Sequence, residues 1–155
     1  MISPELLRRY PFFGFLNDET LKTIAMHTEE VTFSGGSVIL QEGRTAEALY
    51  FLLEGSIDLY YTVEEAYHPE SGREFRVGEV NPGEPFGISA CIEPHILTAT
   101  ARAIKNCRVL TIEAAALLGL CQEDHEFAYN LMKQLAIAAM ERLHSTRVQL
   151  AAAWA

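Results

Sequence analysis

The spacing of apolar positions along the chain changes twice. Near the start, Leu21 and Ile24 recur at helical spacing behind Asn17 and Asp18, either of which can cap a helix N-terminus. From Val31 onward the apolar residues alternate as they do in β-strands, and helical spacing returns in the last third. These changes predict one domain made of an N-terminal helical part at 1–30, a β region at 31–112 and C-terminal helices at 113–155.

The β region consists of short runs rich in Val, Ile, Phe and Tyr that are separated by glycines. The runs include VTFSGGSVILQEG, ALYFLLEGSIDLYYTV, REFRVGEVNPGEPFG and TATARAIKNCRVLTI. Glycines between them suit turns that need a positive φ. Short strands at this spacing favour an antiparallel barrel or sandwich over a doubly wound parallel sheet. The predicted fold class is therefore mainly β with flanking helices.

Two helices are predicted after the β region. A short one runs from Glu113 to Cys121, and Asp124 can cap a long one that contains neither Pro nor Gly. Because Ala136 and Ala139 allow two helices to approach closely, the long helix predicts a parallel homodimer. The alternative is that its apolar stripe lies on the chain's own β region. The predicted stripe consists of Met132, Leu135, Ala139, Leu143, Thr146 and Leu150.

Composition and charge limit the partners of the chain. Its 155 residues are 49% hydrophobic and 21% charged, which is typical of a soluble globular domain. The formal charge of −9 argues against nucleic acid or an anionic membrane as a partner. No apolar run approaches the roughly 20 residues that span a bilayer, and the first residues lack the apolar core of a signal peptide. A cytoplasmic protein is expected.

Motifs for catalysis or metal binding are absent from the sequence. There is no Gly-x-Ser-x-Gly elbow, no Gly-Lys-Ser/Thr phosphate loop and no His-Glu-x-x-His pair. The three cysteines Cys91, Cys107 and Cys121 form no Cys-x-x-Cys pair and are predicted to be free thiols. We therefore predict that the chain is not an enzyme and has no catalytic residues, metal site or cofactor.

The order of these elements resembles the cyclic nucleotide-binding domain family. This is the β-roll of catabolite-activator-type transcription factors, kinase regulatory subunits and nucleotide-gated channels. The resemblance covers roughly Leu7 to Leu150. It implies an antiparallel β-roll (a jelly-roll-like double-stranded β-helix) with an N-terminal helix and a long C-terminal helix. The matching stretches are FLNDETLKTIA, FSGGSVILQEGRTAEALYFLLEGSIDLY, NPGEPFG, TATARA and the Asp-His-Glu-Phe start of the long helix.

The phosphate-binding cradle of that family is present here in a degenerate form. The family pattern is Phe-Gly-Glu and then Pro-Arg-x-x-Thr, in which the Glu binds the ribose hydroxyl and the Arg grips the cyclic phosphate. Phe86, Gly87 and Thr100 match this pattern, but Ile88 stands at the Glu position and Leu97 at the Arg position. The pocket residues that the resemblance implies are Phe86, Gly87, Ile88, Ser89, Ala90, Leu97, Thr98 and Ala99.

These two replacements disfavour tight binding of cAMP or cGMP. Removing one partner of a buried charge pair typically costs about 3–5 kcal/mol, which corresponds to a loss of affinity of about a hundred- to several-thousand-fold. Losing the ribose acceptor adds about 1–3 kcal/mol. Arg102 does not compensate, because its odd separation from Leu97 points it to the opposite face of a strand. Glu93 is expected to be an exposed loop acid.

The resemblance thus predicts a stand-alone regulatory or ligand-sensing domain with an atypical pocket. One alternative is a pseudo-receptor, a dimeric scaffold in which Ile88 and Leu97 pack together and close the cavity. A less favoured alternative is a haem or redox sensor, for which Cys91 and His95 supply only two ligand types. Because the chain ends at Ala155 without a basic recognition helix, no direct binding of DNA is predicted.

Overall fold

Antiparallel strands form two four-stranded sheets that face each other. The computed structural model describes all 155 residues. Its strands are β1 (Thr28–Phe33), β2 (Val38–Leu40), β3 (Ala48–Glu54), β4 (Ile57–Thr62), β5 (Glu74–Val80), β6 (Pro85–Phe86), β7 (Thr100–Ala103) and β8 (Cys107–Glu113). One sheet has the order β1-β8-β3-β6 and the other β2-β7-β4-β5. The predicted antiparallel β-roll is confirmed.

Helices flank the roll at both ends of the chain. They are α1 (Pro4–Arg8), α2 (Asp18–Met26), α3 (Ala114–Glu123) and α4 (His125–Ala153), and single 3₁₀ turns occur at Pro11–Phe13 and Ile88–Cys91. Asn17 caps α2, since its Oδ1 accepts a 2.8 Å hydrogen bond from the amide of Thr20. Asp124 caps α4 through the amides of Glu126 and Phe127. No helix combines the length and apolar character needed to cross a membrane.

The β region begins earlier than the sequence indicated. Strand β1 starts at Thr28, which pairs with Ile112 of β8, rather than at Val31. The Thr28 hydroxyl is fully buried and donates a 2.6 Å hydrogen bond to the carbonyl of Ile24 in the last turn of α2. The strand therefore follows the helix directly, and one side chain joins the two elements.

The core has two main layers because the strands of the first sheet bury both faces. Leu49, Phe51 and Leu110 point to one face, where they pack under the N-terminal segment and the helices. Leu52 and Val109 point to the other face and fill the space between the two sheets. The helices are thus held on the outer face of the β1-β8-β3-β6 sheet.

Helix α4 packs on the roll with one row of residues. Phe127, Leu131 and Leu135 are 4%, 2% and 3% exposed and belong to the layer under the helices. Further along the same face, Arg142 Nη2 donates a 2.8 Å hydrogen bond to the carbonyl of Pro85. Thr146 Oγ1 lies 3.0 Å from the carbonyl oxygens of both Val77 and Arg142, and its one hydrogen is shared between these two acceptors. The second half of α4 therefore contacts the roll through polar groups.

The predicted dimer stripe of α4 is divided between two faces. The assignment of Leu135 to a dimer contact is wrong, since this side chain is buried in the chain's own core. Met132 also packs against that core, and the Thr146 hydroxyl is bound to β5. Spacings of three and four are satisfied by adjacent rows of a helix, so periodicity alone could not separate them. The residues of the stripe that remain exposed are Ala139, Leu143 and Leu150.

Candidate ligand-binding site

Gly87 sets the direction of the cradle, the segment between β6 and β7. Gly87 follows β6 with φ +66°, and the 3₁₀ turn at Ile88–Cys91 begins directly after it. A Cβ at Gly87 would lie 2.9 Å from Leu40 Cδ1. The left-handed backbone and the close approach both select glycine here. The cradle therefore sits tightly against β2.

Backbone hydrogen bonds join the cradle to the loop between β2 and β3. The amide of Gly43 donates to the carbonyl of Leu97 at 2.8 Å, and the amide of Leu97 donates to Arg44 at 2.9 Å. The amide of Ala46 donates to the carbonyl of His95 at 2.8 Å. These bonds hold the second half of the cradle in an extended form and fix the position of Leu97.

Thr100 anchors the same loop with its side chain. It is 1% exposed, and its hydroxyl oxygen accepts hydrogen bonds from the Glu42 amide at 3.1 Å and from Gln41 Nε2 at 3.3 Å. The Glu42 carboxylate in turn accepts a hydrogen bond from the amide of Thr62. The threonine that matches the family pattern thus has a structural role at the start of β7.

The cradle, β2, β4 and α4 line a cavity of about 110 Å³ that is open to solvent, with Thr98 exposed. Seven of the eight residues that the resemblance assigned to a pocket line it, and the exception is Ala90. Four further residues complete the lining, namely Leu40, Leu59, Ala101 and Arg142. No carboxylate lines this cavity.

Ile88 and Leu97, the aliphatic residues at the family's Glu and Arg positions, have different neighbours. Ile88 packs against the layer under the helices, whereas Leu97, which is 6% exposed, belongs to a small cluster with Ala46, Ala90 and Ala114. Both also line the cavity. The side chains at the family's Glu and Arg positions therefore present apolar surface to any ligand.

Arg142 of α4 is a lining residue that sequence reasoning missed. Burial lowers the pKa of its guanidinium, while the carboxylates of Glu84 and Glu141 act in the opposite direction. No carboxylate oxygen lies within 4.0 Å of it, and its hydrogen bond goes to the Pro85 carbonyl. The sequence alone gave no signal for it, because the spacing of seven from Leu135 places Arg142 on the core side of α4 only once Leu135 is known to be buried.

Arg102 points away from the cavity, as its strand position predicted. Its Nη1 donates a 2.9 Å hydrogen bond to Glu74 Oε1, and its guanidinium lies 4.7 Å from the ring centroid of Tyr60. Glu93 is exposed on the loop. Neither residue therefore takes over the role of the missing cradle arginine or glutamate.

Cys91 and His95 do not share a helical face, because the 3₁₀ turn ends at Cys91 and Ile92 is extended. The Nδ1 of His95 lies 3.0 Å from the carbonyl oxygen of Ala90, so this nitrogen carries a hydrogen. Burial raises the pKa of the Cys91 thiol to about 11, which keeps it protonated at neutral pH. The helical geometry that would place Cys91 and His95 side by side as a ligand pair is therefore absent from this segment.

The fold and the cradle define a β-roll of the cyclic nucleotide-binding type. The protein-family model described as "Cyclic nucleotide-binding domain" matches residues 30–124, which is more than half of the chain. The chain belongs to the cyclic nucleotide-binding domain family, and its fold is that of a regulatory domain.

Individual relatives share this architecture. The cAMP-activated global transcriptional regulator Vfr of Pseudomonas aeruginosa is 29% identical over 130 residues, which cover 81% of this chain and 56% of the regulator. A solved candidate cyclic nucleotide-binding protein from Geobacter metallireducens is 41% identical, with a TM-score of 0.80, over 93% of this chain and 100% of that one. The N-terminal domain of a Streptomyces coelicolor transcriptional regulator is 29% identical, with a TM-score of 0.65, over 94% of both chains. This chain spans about half the length of Vfr.

Proposed function

We propose that the chain is a ligand-sensing regulatory domain whose cavity takes a ligand other than cAMP or cGMP. The observation that carries the proposal is that Ile88 and Leu97, at the family's Glu and Arg positions, both line the cavity. A cyclic phosphate placed against Leu97 would lose its water without gaining a paired cation, which is costly for any charge. A ribose hydroxyl placed against Ile88 would find no acceptor.

The size of the cavity supports a small ligand. Its volume is about 110 Å³, whereas typical ligand pockets measure roughly 300–1,000 Å³. It is closer to an apolar cavity of about 150 Å³ that holds benzene. A ligand on the scale of a single ring or a short branched chain fits this space, and a nucleotide requires the cradle to open.

In the same proposal, α4 pairs with its copy in a homodimer. The face of α4 turned away from the roll exposes Met140, Leu143 and Leu150 by 70%, 50% and 59%. Ala136 and Ala139 lie on the same side and are small enough for close approach of a second helix. Spacings of three, four and seven between these residues match a two-helix seam. Ligand binding would act on this seam by shifting the cradle turn and α4.

Isothermal titration and a thermal-shift panel test the proposal. The purified protein is titrated with cAMP and cGMP, and small apolar and amphipathic molecules are screened in parallel. We expect no tight binding of either cyclic nucleotide and stabilisation by at least one small molecule. Tight binding of cAMP that survives substitution of Leu97 would overturn the proposal. If no molecule in the panel shifts the melting temperature, the alternative of a closed dimeric scaffold is favoured.

A further inference from the structure

Arg142 is the one charged side chain among the residues that line the cavity. It comes from α4 and not from the cradle. The cation at this cavity therefore lies at a different place from the family's cradle arginine, whose position is occupied by Leu97 here. Seven of the other ten lining residues are Leu, Ile, Phe or Ala. The cavity therefore combines a single guanidinium with a mainly apolar lining.

The hydrogen-bonding capacity of this guanidinium is mostly unused. A guanidinium has five N–H donors, and within the protein Arg142 makes one hydrogen bond, from Nη2 to the Pro85 carbonyl. No side-chain nitrogen of the molecule is both fully buried and without a partner. The Arg142 nitrogens that have no partner in the protein are therefore not fully buried.

The acids that influence Arg142 lie outside the cavity. Glu84 and Glu141 raise its pKa against the effect of burial. They line a neighbouring groove that Arg142 also lines, but they do not line the cavity itself. The other polar side chains of the lining are Ser89, which is half-buried, and Thr98, which is exposed. The cavity thus offers one positive charge and two hydroxyls on an otherwise apolar wall.

From this arrangement we infer that the cavity binds a small organic monoanion, with a carboxylate-type head group on Arg142 and an apolar body against the aliphatic wall. The inference rests on the proposed function, because it names the ligand class of the same cavity. A carboxylate can take two parallel hydrogen bonds from one guanidinium, which makes the pair strong and directional. A dianion such as inorganic phosphate is a poorer match, since no second cation lines the cavity.

The same residue connects this site to α4. Arg142 and Thr146 make the side-chain hydrogen bonds that join α4 to the strands of the roll. An anion that binds the guanidinium competes with the Pro85 carbonyl or adds to it, and either change alters how α4 is held. Ligand and helix position are therefore linked through one side chain.

Calorimetric titration of the full chain with benzoate and butyrate tests the inference. Benzamide and butyramide serve as neutral probes of the same shape. The variants are Arg142→Gln and, as the control, Arg9→Gln, which changes an exposed arginine that lies neither at the cavity nor on α4. We expect at least one carboxylate to bind the wild type and R9Q, and to bind R142Q about 10- to 100-fold more weakly. The matching amide should bind all three proteins equally weakly.

Further outcomes separate this inference from the proposed function. Binding of the amides as tightly as the acids, or unchanged carboxylate affinity in R142Q, would overturn the inference and leave a neutral ligand for the cavity. Tight cAMP binding would overturn the proposed function instead. No binding of either carboxylate to the wild type also refutes the inference. If R142Q does not fold, Ala99→Leu narrows the cavity while Arg142 stays in place, and it must weaken carboxylate binding as well.

Discussion

The Arg142 guanidinium donates a 2.8 Å hydrogen bond to the backbone carbonyl of Pro85, the first residue of β6. Strand β6 leads through Phe86 into Gly87 and the cradle turn. The C-terminal helix is thus fastened to the strand from which the cradle begins. Thr146 adds a second link one turn later, from its hydroxyl to the carbonyl of Val77.

Replacing Thr146 with Val should loosen the second half of α4. The change removes one hydrogen bond of about 0.5–1.5 kcal/mol and keeps the shape of the side chain. We expect amide hydrogen exchange beyond Arg142 to become up to about tenfold faster, with no change around Leu131. Ser145→Ala, at an exposed neighbouring position, is the control and should leave exchange unaltered. Equal exchange in T146V and the wild type would contradict a fastening role for this hydroxyl.

Restoring the family's two cradle side chains should create affinity for cyclic nucleotides. In the double variant Ile88→Glu, Leu97→Arg, a guanidinium and a carboxylate replace apolar groups that line the cavity. We expect cAMP affinity to rise about a hundredfold or more over the wild type, measured by calorimetric titration. Each single variant should gain less than the double variant. A folded double variant with no gain would show that residues beyond these two, or the small volume of the cavity, exclude the nucleotide.

A charge on the exposed face of α4 should disrupt the proposed dimer. Leu143→Glu places a carboxylate in the seam, where a second copy would bury it without a partner. Analytical ultracentrifugation should show a dimer for the wild type and a monomer for L143E. Val148→Glu is the matched control, because Val148 is similarly exposed, at 56% against 50%, but lies on another side of the helix. Identical sedimentation of all three proteins would refute pairing through this face.

The buried Cys91 thiol should make the protein less stable at high pH. Burial raises its pKa from 9.0 to about 11, so the folded state holds this proton more tightly than the unfolded chain does. The resulting stabilisation is fully present below about pH 9 and is lost as the pH rises towards 11. Denaturant unfolding at pH 8 and pH 11 should show a loss of about 2–3 kcal/mol from this group. Cys91→Ala should lose correspondingly less over that interval, and an equal loss would assign the pH dependence to other groups.

Local signals in the sequence were sufficient for much of the fold. Asn17 and Asp124 act as helix caps through bonds to amides two or three residues away, so the sequence alone carries the information. Gly87 was recognised only as a match to the family's Phe-Gly pair, and its left-handed backbone and its close approach to Leu40 are findings of the structure. The short helix α1 was missed although Ser3 caps it, since a helix of one turn shows no apolar period.

Features that depend on tertiary packing were not predictable in this way. Leu135 and Leu143 both fit the helical stripe, and only the direction from which the β1-β8-β3-β6 sheet meets α4 makes one buried and the other exposed. Arg142 is far in sequence from the cradle, so its place in the cavity follows from that same packing. The sequence indicated which cradle side chains were lost and gave no indication of which residue brings a charge to the cavity instead.

Helix α4 presents Arg142 to the cavity on one face and Leu143 to the outside on another. In the proposed dimer paired through Leu143, each cavity would contact the helix that forms the seam, because Arg142 and Leu143 belong to the same helix. Occupying one cavity then changes the free energy of filling the other, so a titration of the dimer should deviate from a single-site hyperbola, with a Hill coefficient different from one. In a monomer such as L143E the same titration should be hyperbolic, with a Hill coefficient of about one.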